Sequence, residues 1–133
     1  DYVLAQNLFS WMENAKVDFT GTFRDLSYEN LSDKDIYNSP EFKKWYYLWQ
    51  ARLSRNSKPI KSSLSMMRKY NPVIVPYNHF VEEALIAAEV GDMQPFYKLL
   101  SALEKPFEFS SSKEVFLNSP VNPNPHYQTF CGT

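Results

Sequence analysis

Apolar residues recur three and four positions apart along almost the whole chain, and no stretch sustains the alternation of a half-buried strand. That spacing lines side chains along one stripe of a helix, so the chain is expected to be all-α. Leu4, Leu8, Trp11 and Met12 make a first stripe, ending near Asn14. "VDFTGTFRDL" carries Phe19, Phe23 and Leu26 on a second, with Asp18 placed to accept from the unpaired N–H groups of the first turn and Gly21 a poor helix former within it. The clearest start signal is Ser39-Pro40-Glu41. It offers a capping hydroxyl, a proline where no N–H is needed and a carboxylate at the positive end of the helix dipole. Phe42, Trp45, Tyr46, Trp49 and Leu53 then form the stripe of a long helix, while Lys43, Lys44, Arg52 and Arg55 fall largely on its wetter sides. Three glycines are too few for a sheet joined by tight hairpin turns.

Prolines and capping residues divide the rest. "NSKPIKSSLSMMRKY" reads as a helix capped by Ser57, with Ile60, Leu64 and Met67 on one side. Asn71 and Val75 each precede a proline, which disfavours helical backbone, so "NPVIVP" is expected to run extended. Asn78 is expected to cap a helix carrying Phe80, Ala84, Ala87 and Ala88. Gly91 supplies the left-handed residue that closes it, and Asp92 caps the next helix, whose buried stripe is Phe96, Leu99, Leu100 and Leu103. The pair makes an αα-hairpin, the small alanines allowing close approach. "FEFSSSKEVFLNSPVNPNPHYQTFCGT" has no helical period and reads as an extended arm, which Phe107, Phe109, Phe116, Tyr127 and Phe130 are expected to pack down. The expected organisation is a compact multi-helix domain over 1–106, ending in the hairpin, and a proline-containing arm over 107–133.

Composition narrows the function. Fourteen basic residues against fifteen acidic ones give a net charge of −1, so no overall field draws nucleic acid or an anionic membrane. No apolar run reaches the roughly 18 residues of a membrane span, and the first residues form neither a basic leader nor a cleavage site. One cysteine, Cys131, excludes an internal disulfide framework and a cysteine-rich zinc site, and a reducing, cytoplasmic setting is expected. The chain opens without methionine in mid-pattern, which suggests a piece of a longer protein. His79 and His126 are too few for a metal site. Glu82 and Glu83 diverge by about 100° on a helix and, like Asp33 with Asp35, are assigned no acid–base chemistry. Trp45, Tyr46, Tyr47 and Trp49 have the residue types that stack bases, but their helical spacing assigns them to a core. "LSRNSKPIKSSLSMMRK" is locally basic through Arg55, Lys58, Lys61, Arg68 and Lys69, a face for phosphate or an acidic partner or one that is simply solvated.

"VDFTGTFRDLS", "MMRKYNP", "PYNHFVEEALIAAEVGD", "LLSALEKPF" and a cysteine near the C-terminus occur in the order seen in the C-terminal part of the SelO (YdiU, selenoprotein O) family, which the chain resembles over essentially its whole length. The resemblance implies a parent with a kinase-like fold that binds ATP in an inverted pose with Mg²⁺ and transfers AMP to protein hydroxyls. The family's glycine-rich loop, nucleotide-binding lysine, catalytic aspartate and metal ligands lie upstream, so no catalytic, cofactor-binding or metal-binding residue is assigned here. Isolated Gly21, Gly91 and Gly132 make no phosphate cradle. The expected role is therefore a non-catalytic helical region bracing the upstream kinase-like region of the same chain, with protein substrates as the parent's partners. The alternative is an independent helical interaction module. A piece cut from its parent should expose a large apolar face, open to self-association. Cys131 resembles in position the family's C-terminal redox cysteine or selenocysteine, which marks it as a regulatory thiol or an unused one. Tyr77 stands where many relatives carry arginine; Asn78 and His79 match the pattern and are read as a cap and a hydrogen-bonded helix-start imidazole.

Overall fold

Ser39 sets the register of the longest stripe. Its hydroxyl accepts from the Phe42 N–H at 3.3 Å, and α3 runs from there over Pro40–Leu53. The structure, a computed structural model, describes residues 1–31 and 34–117. Ahead of α3 come α1 (Tyr2–Ala15), α2 (Phe19–Tyr28) and a 3₁₀ turn over Asp35–Asn38; α4 (Ile60–Tyr70) follows. After it come α5 (Asn78–Glu89), α6 (Gln94–Leu103) and a second 3₁₀ segment over Ser111–Phe116. No strand occurs among the described residues, and the chain is all-α.

Contacts gather these elements into two units divided between Pro72 and Val73. The Val73 N–H donates to the Pro106 carbonyl at 2.7 Å, which fastens the extended "NPVIVP" strip to the end of α6.

In the first unit α1 packs on α3 and α2 on α4. Leu8, Trp11 and Met12 of α1, Leu26 of α2, Tyr37, and Phe42 and Trp45 of α3 form one buried cluster. Phe42 lies at its centre, with ring centroids 4.6 Å from Trp11, 4.8 Å from Tyr37 and 5.6 Å from Trp45. Both buried indoles keep a partner: Trp45 Nε1 donates to the Leu4 carbonyl at 2.8 Å and Trp11 Nε1 to Ser39 Oγ at 3.2 Å. α4 differs from expectation at its start, where Pro59 is the cap residue and Ser57 lies outside the helix.

The second helix departs furthest from its apolar stripe. Leu26 is buried and Phe23 partly so, but Phe19 is exposed, stacked on Phe9 and tilted against Phe23. Thr22, Arg24, Asp25 and Ser27 are buried instead. Asp18 caps the helix, its carboxylate accepting from the Gly21 N–H. A Cβ on Gly21 would stand 2.8 Å from that carboxylate oxygen. This explains a glycine in the first turn: it admits the cap. Gly21→Ala is therefore expected to bring no stability gain, because a displaced cap costs about 0.5–2 kcal/mol against a propensity gain of about 1 kcal/mol. A thermal midpoint raised by several degrees would contradict this.

In the second unit α5 and α6 pair as the hairpin. Gly91 closes α5 at φ 90°. The capping residues shift from expectation by one position each. Tyr77, not Asn78, is the N-cap of α5, because helical geometry already includes Asn78. Met93 is the N-cap of α6, while Asp92 Oδ1 accepts from the Gln94 N–H at 3.0 Å. Ala84, Leu99 and Ala102 of the hairpin are buried, as are Val73 and Ile74 before it, whereas Phe96 and Leu100 are exposed. The described start of the arm contains the 3₁₀ segment, which contacts α6 and lays Phe116 edge-on to Phe80 at 5.1 Å. Lys113 is buried there, its ammonium donating to the Lys105 carbonyl and, at 2.6 Å, to that of Glu108.

Candidate functional site

The polar residues of "VDFTGTFRDLS" converge with the 3₁₀ turn on one buried carboxylate, Asp25. Its Oδ2 accepts from the Tyr37 hydroxyl at 2.7 Å and from the Lys34 ammonium at 2.5 Å, and its Oδ1 lies 3.6 Å from Arg24 Nε. Burial pushes the Tyr37 phenol well above its ordinary value, and the Asp25 hydrogen bond and charge push the same way. The phenol therefore stays protonated and donating, which is what a carboxylate acceptor needs. Around this centre Ser27 Oγ donates to the Arg24 carbonyl at 2.8 Å, and Thr22 Oγ1 to the Asp18 carbonyl at 2.7 Å.

"MMRKYNP" joins the same cluster from α4. Arg68 Nη1 donates to the Ser27 carbonyl at 2.6 Å, and its guanidinium lies 5.3 Å from the centroid of the Tyr28 ring. A cation on one of the last carbonyls of α2 complements the negative end of that helix. Asn71 Nδ2 returns to the Met67 carbonyl at 2.8 Å as α4 ends. Two of the four quoted segments thus meet through side-chain chemistry. Sequence periodicity does not find Arg24, Asp25, Lys34 and Tyr37: at about 100° per residue Arg24 and Asp25 fall on the side of the helix away from the Phe19, Phe23 and Leu26 stripe, where charged residues read as solvated.

Chemically the cluster is closed. Among the described residues no buried side-chain nitrogen or oxygen lacks a hydrogen-bond partner. Beside it, α1, α2, α3 and α4 border a groove of about 400 Å³ with Leu4, Leu8, Phe23, Trp45 and Met67 in its lining. Asp1 and Arg52 pair across its rim at 2.5 Å, an exposed bond of small energetic weight. The groove's lining offers no nucleophile paired with a base. No group of three His, Cys, Asp or Glu among the described residues is arranged to hold a metal ion, and Gly21 and Gly91 stand in a helix and a hairpin turn, far from a phosphate-binding loop in character.

The remaining sequence candidates stand apart. His79 stacks on Tyr77 at 6.1 Å and touches Phe80. Glu82 and Glu83 are exposed. Cys131, His126 and Gly132 lie outside the described residues, as does Asp33. No helix among the described residues is long and apolar enough to cross a membrane.

Residues 2–104 match the family model described as protein adenylyltransferase SelO. Proteins named protein nucleotidyltransferase YdiU are similar over the whole chain: 44% identical in Bacillus thuringiensis, 44% in Alcanivorax borkumensis and 43% in Bacillus anthracis. In each case the chain spans 28% of the relative's length.

Proposed function

The chain belongs to the SelO family, and on that premise we propose that it is a non-catalytic helical region of a protein adenylyltransferase, bracing the kinase-like region that transfers AMP from ATP to protein hydroxyls. The observation that carries this reading is the surface of the hairpin. Val90 is 83% exposed and Ile86 62%, with Leu85, Tyr97 and Leu100 also open to solvent. Apolar side chains grouped in this way mark a face made to be covered. The closed polar cluster around Asp25 supports the same reading, because its donors and acceptors are committed to holding helices together.

ATP and Mg²⁺ belong, in this proposal, to the upstream part of the parent, where phosphoryl-type chemistry gathers its charge-stabilising groups. Cys131 takes the place of the family's tail redox residue, able to exchange with a thiol of the catalytic region. Equal AMP transfer by the parent and its Cys131→Ser variant, before and after oxidation, would remove that assignment.

The test of the main proposal compares three proteins using ATP labelled on the α-phosphate: this chain, the full parent, and the parent lacking this region. Label is expected on protein only with the full parent, and the shortened parent is expected to lose activity together with thermal stability. Labelling by this chain alone would defeat the non-catalytic assignment. Full activity and stability in the shortened parent would defeat the bracing role.

A further inference from the structure

The near-zero net charge conceals a strong division along the chain. Residues 42–81 contain eight Lys and Arg and no Asp or Glu, so all fifteen acidic residues lie elsewhere, against six basic ones. Within this stretch α4 presents a shallow groove of about 480 Å³ lined by Lys61, Ser62, Ser65, Met66, Lys69 and Tyr70. Its apolar members are unusually open, Met66 at 57% and Tyr70 at 78% exposure. At about 100° per residue the six residues span about half the circumference in the order Lys61, Ser65, Lys69, Ser62, Met66, Tyr70, so the lysines share one half of the arc with Ser65 between them, and Met66 and Tyr70 take the other end. Lys61 and Lys69 are about 12 Å apart along the axis, at 1.5 Å per residue. Neither enters an ion pair among the described residues; those found involve Arg24, Lys34, Arg52 and Lys105.

A basic edge facing an apolar edge selects a particular partner. Its ligand must carry spaced negative charge and apolar side chains together, with carboxylates or backbone groups near the serine hydroxyls. A nucleic acid matches less well, because it presents uniform charge to a chain whose remaining residues are strongly acidic, and it has no apolar side chain for Met66. We infer that this face of α4 docks an acidic amphipathic segment of a partner protein. The carboxylates of that segment meet Lys61 and Lys69, and its apolar side chains cover Met66 and Tyr70. The inference goes beyond the bracing role and does not depend on nucleotide chemistry in the parent.

Fluorescence anisotropy tests it on the chain itself with three labelled probes: a short peptide of alternating Glu-Glu and Leu-Leu pairs, the same peptide with Gln for Glu, and an oligothymidine. The Glu peptide is expected to bind, and to weaken as salt shortens the range of charge interactions. Lys61→Glu with Lys69→Glu is expected to weaken it roughly tenfold or more, since two exposed attractions become repulsions. Met66→Ser with Tyr70→Ser should weaken it severalfold. All four positions lie on the exposed face, and unchanged tryptophan fluorescence checks that the variants remain folded. Equal binding of the Gln peptide, oligothymidine binding as tight as the Glu peptide, indifference to the substitutions, or no binding of any probe would overturn the inference.

Discussion

Asp25→Ala is expected to leave the first unit largely unfolded, or destabilised by about 3–5 kcal/mol, the usual consequence of removing one partner from a buried charged cluster. The carboxylate is buried, and three donors face it. Removing it takes the acceptor from the Tyr37 hydroxyl and a counter-charge from beside the buried Arg24 guanidinium, in an interior that offers little water in exchange. Removing the donors singly should cost far less. Tyr37→Phe leaves Asp25 with its Lys34 bond and is expected to cost about 0.5–1.5 kcal/mol. Lys34 is 38% exposed at its side chain, so solvent screens its share and Lys34→Met should cost under about 1 kcal/mol. Urea unfolding followed by tryptophan emission measures the order, because Trp11, Trp45 and Trp49 all lie in this unit. If Asp25→Ala proves too unstable to purify, Asp25→Asn, which keeps the shape and loses the charge, should still rank below Tyr37→Phe in stability. An Asp25→Ala protein within about 1 kcal/mol of the parent chain would mean that water reaches the cluster and relieves it.

That cluster marks the limit of what periodicity reveals. The helices of the first unit were legible because Leu8, Trp11, Met12, Phe42 and Trp45 have no stable alternative to one another's company, and the Asp18 and Ser39 side chains accept where the first turns need acceptors. In α2 the same reasoning misplaced Phe19, because a short helix packed on α4 buries polar side chains when partners distant in sequence, such as Tyr37 for Asp25, satisfy them. Lys34 and Tyr37, nine and twelve residues from Asp25, could not be assigned to it by local spacing. The hairpin shows the converse. Gly91 and the paired helices followed from turn chemistry, but the apolar pattern of α6 was read as burial when half of it faces outward. An apolar stripe states that a face avoids water; it does not state which molecule provides the cover. The proline strip was legible as shape, and its fastening to Pro106 was not, since a carbonyl more than thirty residues away leaves no trace in local pattern.

Phe42→Ala is the second substitution expected to have a large effect, at about 3–5 kcal/mol, the range for removing a buried aromatic ring. Phe42 touches the rings of Trp11, Tyr37, Trp45 and Tyr46, which come from α1, the 3₁₀ turn and α3 itself. The lost ring leaves a space that these rigid aromatics refill poorly, so the cavity adds to the lost transfer energy. Phe42→Leu keeps most of the volume and should cost under about 2 kcal/mol. A remote exposed aromatic, Tyr47→Ala, should fall within about 0.5 kcal/mol. The substitution also bears on the cap, because the Phe42 N–H and Trp11 Nε1 both donate to Ser39 Oγ. If the ring positions the indole for that bond, Phe42→Ala and Ser39→Ala combined should cost less than the sum of the two alone, by about 0.5 kcal/mol or more. Strict additivity in that double-mutant cycle would show that cap and ring act independently, with the hydroxyl placed by backbone geometry alone.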